Sequence, residues 1–261
     1  AETLVAHLET LSDQMVLLSD QPQFARLIQE LFHPLWKNLG WDLSPGEDDE
    51  RRLTRAAVLW ALGALAEDED ILPEMPRRLT LYWVRPASLD PTLATPLIRL
   101  CARTDLGALF EKYLQKFKTA ITPEDRDRYL RAMADFKKPD LARKLLEFAL
   151  SGDIRAQDVW KPVRYLLANP AVQGEAWRFV KTHWSALKQK GGSVGAQRMI
   201  QGTRALWKPE WRAEVGVFFH DPANKVAAAE RALAQTQEFM EIGIRFKSHQ
   251  QAALSHWLNS R

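Results

Sequence analysis

The sequence predicts an all-α fold of antiparallel helical hairpins stacked side by side. Apolar residues recur at three- and four-residue spacing through nearly every segment, the period of a helix with one buried stripe. No segment carries a convincing strand. Hairpins recur at roughly 30 to 40 residues without strict identity between repeats, as in stacked α-α arrays. The 10 tryptophans and 11 phenylalanines are spread along the whole length, which suits an array in which each helix pair buries only its neighbours' faces.

Leu4, Leu8, Leu11, Met15 and Leu18 mark a first helix, which Asp20-Gln21-Pro22 breaks. Phe24, Leu27, Ile28, Leu31 and Leu35 mark a second, ending near Gly40 and pairing with the first as a hairpin. Asp42 to Glu50 is a polar loop with a Pro45-Gly46 turn, and its acids complement the dipole of the helix that follows. That helix carries Leu53, Ala56, Ala57, Trp60, Ala61 and Ala64 on one stripe, small enough for a neighbour to approach closely. Glu67-Asp68-Glu69-Asp70 reads as an acidic helix start beside Ile71 and Leu72. A cation loop built from oxygen alone needs wider ligand spacing and a turn glycine. Arg77, Arg78, Tyr82, Trp83 and Arg85 form either a basic-aromatic patch for nucleic acid or, the reading we favour, a packing stripe with arginines alongside.

Asp90-Pro91 starts a helix with Leu93, Leu97 and Leu100, and Cys101 falls among them as a buried thiol. Leu106, Leu109, Phe110, Tyr113, Leu114 and Phe117 give the strongest amphipathic pattern in the chain. At Thr122-Pro123-Glu124-Asp125 a threonine caps, proline takes the first turn without wasting a donor, and acids follow. Tyr129, Leu130 and Met133 are the buried side of that helix. Leu141, Leu145 and Phe148 line the next, stopped by Ser151-Gly152-Asp153. Val159, Val163, Leu166 and Leu167 line another, which Asn169-Pro170 ends because the residue before proline is pushed out of the α region. Trp177, Val180, Trp184 and Leu187 share one face of the helix beyond. Lys188 to Gly195, with Gly191-Gly192, reads as a linker; it lacks the lysine-serine/threonine ending of a phosphate-binding loop. Met199, Leu206, Trp207 and Trp211 continue the helices, Pro209 opens one of them, and Val215, Phe218 and Phe219 precede a break at His220-Asp221-Pro222. One long helix with a kink near Gly243 closes the array between Ala223 and Leu258. The class is therefore a HEAT-like α-α superhelix, read as a single solenoid domain over 1–261.

Composition narrows the function classes. The 36 basic residues are nearly balanced by 33 acidic ones, so a net charge of +3 makes the pI of about 9.0 overstate the basicity. The two signs alternate along the helices, as on solvated faces rather than a nucleic-acid stripe. A single cysteine excludes an internal disulfide and a thiolate metal cluster. No apolar run approaches the roughly 20 residues of a membrane-spanning helix. The chain starts at Ala1 with no visible signal peptide or Asn-x-Ser/Thr acceptor, and reads as a piece of something longer whose compartment stays open.

Catalytic constellations are missing. His7, His33, His183 and His220 are isolated, while His249 and His256 lie two turns apart. About 10 Å of helical rise separates that pair, too much to share an ion without partners. No Gly-x-Ser-x-Gly elbow supports a hydrolase triad. The sequence assigns no catalytic, cofactor-binding or metal residue, and leaves the substrate-contacting residues unknown.

Ser151 to Leu187 also carries a resemblance. "LSGDIRAQD", then Asn169-Pro170 and "AWRFVKTHWSAL", is similar to the C-terminal helical domain of the M1 zinc aminopeptidases, relatives of aminopeptidase N and the endoplasmic-reticulum aminopeptidases. Leu39-Gly40-Trp41, Phe110-Glu111-Lys112-Tyr113, Gly202-Thr203 and Val217-Phe218-Phe219 extend it over nearly the whole chain. Thr182-His183-Trp184 departs from it, because relatives often have asparagine before the tryptophan; this touches a packing position. The family holds zinc with a His-Glu-x-x-His helix and a further glutamate, and the substrate's amino terminus with Gly-x-Met-Glu-Asn. Neither is present, and His7-Leu8-Glu9 lacks the second histidine.

The resemblance thus implies a noncatalytic domain, with no cofactor of its own and zinc only in the parent enzyme. Its partners would be the N-terminal and catalytic domains of the same polypeptide and a peptide substrate, with no nucleic acid and no membrane span. In the family this array encloses the active-site cavity and contacts the distal part of the peptide. Two rivals share the fold: a stand-alone protein-binding scaffold, and a helical-repeat DNA-binding protein with its basic residues gathered on one side.

Overall fold

A computed structural model describes residues 1–44, 46–105 and 107–261. Among these the regular structure is helical, with twelve α-helices and no strand. They divide into two compact units, 1–104 with 249–261, and 105–248.

The first unit contains α1 (Glu2–Gln14), α2 (Gln21–Leu39), α3 (Asp49–Trp60), α4 (Glu74–Val84) and α5 (Pro91–Thr104). At its centre α3 runs into a π-helical turn, Ala61–Leu65. Val58, Leu59, Ala61 and Leu62 are fully buried there. Apolar residues thus surround this stretch rather than lying on one stripe, as in a helix enclosed by neighbours. Gly63 lets α5 close on it, since a Cβ at that position would stand 2.7 Å from a Leu100 methyl.

Sequence periodicity places the buried face of the first hairpin only in part. Leu4, Leu18, Leu31 and Leu35 are exposed, as is Leu53 of α3. Leu8, Met15, Phe24 and Ile28 are buried as expected, and Val5, Phe32 and Leu39 complete the core. Pro22 does not break the chain but sits in the first turn of α2, where its missing N–H costs nothing. The acidic run is not a helix start either. It forms the turn after the π-helix, with Glu67 in a left-handed conformation at φ 47°, and α4 begins only at Glu74. The Pro45-Gly46 turn and the stripe position Leu106 include residues outside those described.

The second unit contains α6 (Phe110–Thr119), α7 (Pro123–Met133), α8 (Pro139–Ser151), α9 (Trp160–Leu167), α10 (Gln173–Gly202), α11 (Pro209–His220) and the start of α12 (Glu230–Asn259). Aromatic contacts hold it together. Phe110 and Tyr113 each meet Phe136 edge-on, and Trp177 and Trp184 pack with Phe218 and Phe219 at centroid separations of 5.0 to 6.3 Å. Thr122 caps α7 as expected, accepting from the Asp125 N–H at 3.1 Å. Gly152 ends α8 in the left-handed region at φ 111°. Val159, Val163, Leu166 and Leu167 are all fully buried. Asn169 does more than end α9: its side-chain amide donates to the carbonyls of Ala134 and Phe136 at 2.8 and 3.1 Å, and its carbonyl oxygen accepts from the Ala171 N–H.

Two expectations change here. Residues 188–195 do hold a break, but a short one: Gly192 (φ 63°) is non-helical with helix on either side of it, and a second non-helical residue, His183 (φ −115°), lies earlier in α10. Burial of Gly195, Ala196, Met199 and Ile200 anchors the helical segment that follows Gly192, so the connection is no longer than the kink itself. The last helix starts at Glu230, not at Ala223, and no non-helical residue marks Gly243. The missing side chain at that position serves Trp207, whose ring atoms would lie 2.4 Å from an added Cβ.

Candidate functional site

Five features carry chemistry. The first lies in the loop between α2 and α3, where Glu47 turns inward. The Arg55 guanidinium donates to its carboxylate at 2.6 Å and, through Nε, to the Leu39 carbonyl at 3.1 Å. Both side chains are wholly buried. The hydrogen bond from Arg55 holds Glu47 down from the usual 4.5 to about 2, against the opposing effect of burial. Sequence reasoning missed this pair. Its signal was an arginine inside a run from Leu53 to Ala66 in which Thr54 is the one other polar side chain.

The second is the one set of histidine and carboxylate ligand atoms that converge among the described residues: His33, Asp68 and Asp70, all within 4.8 Å of one another. Its chemistry is structural. Asp68 is buried, and one of its oxygens takes His33 Nε2 at 2.5 Å and the Gln29 amide at 3.0 Å. The other accepts from the Asp70 N–H at 3.0 Å, an Asx-type turn that leads the chain toward α4. This set does not fit the zinc implied for the parent enzyme. It offers one histidine where the family's centre needs two, and the Asp68 oxygens are already engaged.

The third is the expected basic-aromatic stripe of α4, whose arginines are largely neutralised. Arg77 donates to Glu74 at 2.6 Å; Arg78 pairs with Asp42 at 3.2 Å and lies 4.6 Å over the Trp41 ring. Tyr82 and Trp83 are half-buried.

The fourth is a pocket of about 240 Å³ in the second unit, lined by Ile200, Phe219, Ala229 and Leu233 on its apolar side. His220, Lys225 and Glu230 form the polar part, where Lys225 and Glu230 pair at 2.8 Å. That pairing pulls the Glu230 carboxyl below its ordinary range. The volume suits one side chain rather than a whole small molecule.

The fifth, also in the second unit, is a group of arginines around Trp160 and Tyr165. Of the isolated histidines, His183 stacks on Phe179 at 4.0 Å and His220 bonds the Gly216 carbonyl at 2.6 Å. His249 and His256 are on α12, as expected.

Comparison with known proteins decides what these features belong to. The family profile described as the ERAP1-like C-terminal domain matches residues 1–242. The chain belongs to this family. Aminopeptidase M1-B of Oryza sativa subsp. japonica is 26% identical over 259 residues, covering 94% of this chain and 29% of that protein. Glutamyl aminopeptidase of Bitis rhinoceros is 26% identical over 246 residues, covering 92% of this chain and 25% of its own length. Aminopeptidase M1 of Arabidopsis thaliana is 27% identical over 166 residues, 59% of this chain and 18% of the relative. The chain thus spans less than a third of the length of each of these three relatives, which are aminopeptidases. The all-α class read from the sequence holds, and no helix among the described residues is long and apolar enough to cross a membrane.

Proposed function

We propose that residues 1–261 act as one noncatalytic solenoid domain of a longer zinc aminopeptidase, enclosing the cavity in which peptides are cleaved at their N-terminus. The observation that carries this reading is a match to the family's C-terminal domain over residues 1–242 in a sequence without its His-Glu-x-x-His and Gly-x-Met-Glu-Asn segments. Zinc and the catalytic residues would belong to another part of the same polypeptide.

Two surface features support it. Phe239, Ile242 and Phe246 recur along α12 with 58%, 57% and 48% of their surfaces exposed, an apolar stripe of the kind that marks an interaction site. We assign this stripe to docking against the rest of the enzyme. The pocket beside Lys225 offers the peptide an apolar floor, and a lysine able to exchange Glu230 for a peptide carboxylate.

The test compares substrates in the longer enzyme. Lys225→Ala should lower kcat/KM for a ten-residue peptide more than for a single aminoacyl reporter. Equal losses on both would remove the pocket from peptide contact. Unchanged preference for unfolded over folded substrates, after the domain is unseated by Phe246→Asp, would contradict enclosure itself.

A further inference from the structure

Arg131 on α7, Arg164 on α9, Arg198 on α10 and Arg204 just beyond α10 come together on one face of the second unit. Two rings of α9 organise them. The Arg131 guanidinium lies 5.0 Å over Tyr165, and those of Arg198 and Arg164 lie 4.6 and 5.9 Å from the Trp160 ring. Gly202 brings in the fourth. A Cβ there would stand 3.3 Å from the Arg164 α-carbon, so glycine lets the end of α10, with Arg204 two residues on, settle closely against α9.

Among the described residues, no carboxylate hydrogen-bonds or ion-pairs with any of the four guanidinium groups. Elsewhere in the same unit Arg128, Arg143, Arg178 and Arg212 each hold an aspartate or glutamate. The nearby Asp127 and Asp158 are taken by Lys161, at 2.6 and 3.2 Å. Partial burial lowers the pKa of Arg164, and the neighbouring Arg204, Arg131 and Arg198 lower it further, the effect of like charges crowded together.

An attraction between guanidinium and ring uses none of the N–H donors, so three of these arginines are held over rings without spending them. A single carboxylate would neutralise one charge of the four. A phosphate group carries about 1.5 to 2 negative charges and three acceptor oxygens, so two or three linked phosphates match the face in both charge and donor count.

We propose that Arg131, Arg164, Arg198 and Arg204 form a binding site for an oligophosphate group. The site is independent of the peptide pocket and of the peptidase reading. Calorimetric titration of the 261-residue chain with tripolyphosphate tests it, at an ionic strength matched with chloride. Saturable binding is expected. Arg164→Ala and Arg198→Ala should each weaken it about tenfold or more, the scale of one charge-assisted contact. Arg245→Ala, an exposed arginine of α12, should leave it unchanged.

Circular dichroism and the unfolding midpoint of each variant separate lost binding from lost folding, and Arg131→Gln serves as the second variant if Arg164→Ala does not fold. Adenosine triphosphate distinguishes the sources of the ligand. Affinity equal to tripolyphosphate identifies the phosphate chain alone as what is read, and tighter binding identifies a nucleotide. The proposal is overturned if tripolyphosphate binds no better than chloride, if the arginine variants bind like the parent, or if an acidic peptide binds more tightly than either phosphate.

Discussion

The two units solve the same problem, holding helices side by side, with different chemistry. In the first, buried charge fixes loops: Arg55 grips Glu47, Asp68 gathers His33 and Gln29, and Asp20 accepts from the Asn259 side chain at 3.1 Å. In the second, aromatic rings interlock, and most of the ion pairs lie at the surface. A buried ion pair is a poor source of net stability but a strict one for geometry, because a wrong arrangement strands a charge. Aromatic packing supplies more energy and less positional specificity. The first unit should therefore be the more sensitive to pH, and the second to lost volume.

The largest effect belongs to the second unit. Trp184 is buried against Phe218 and Phe219, and its ring N–H donates to the Asn224 carbonyl at 2.8 Å. Trp184→Ala should cost about 3–5 kcal/mol in denaturant unfolding, the range for large aromatic truncations. A cost near 1 kcal/mol or less would mean that this cluster does not carry the unit. Gly243→Ala comes next. The new methyl must displace the Trp207 ring, and overpacking of this kind costs about 1–3 kcal/mol. A neutral substitution would show that α12 and Trp207 do not meet as described.

The first unit answers to acid. The Glu47 pKa is lowered by folding, so its contribution is present above about pH 4.5 and is lost as pH falls through about 2. The midpoint difference between the parent and Glu47→Gln should shrink across that window. A difference that stays constant down to pH 2 would detach the loop from this ion pair. The smallest effect is local. Thr122→Ala removes one cap from α7 and should cost about 1 kcal/mol.

The same contrast governs how much was legible in the sequence. From Asp90 to Leu187 the buried stripes and the Thr122 cap follow from helical period and capping chemistry, because those helices bury one face each. In α1 and α2, leucines crowd two adjacent stripes, and although period picks out Phe24 and Ile28 it cannot choose between Leu31 with Leu35 and the true core at Phe32 and Leu39. The acidic run misled for a different reason. Carboxylates favour helix starts when solvated, yet Asp68 is drawn inward by partners 35 and 39 positions away, which no local rule contains. Residues 188–195 look like a linker by composition, and the chain does kink at Gly192, but burial of the residues beyond it keeps the break to that glycine. The arginine face was invisible for a related reason: its members come from four separate elements, and each alone resembles an ordinary solvated charge.

The central claim is that this chain lends an enzyme its walls and not its chemistry. The direct measurement is hydrolysis of aminoacyl reporter substrates by the purified 261-residue chain, with and without added zinc. No product above the uncatalysed background is the predicted result. Zinc-dependent turnover that His33→Ala or Asp68→Asn abolishes, in protein that remains folded, would contradict it.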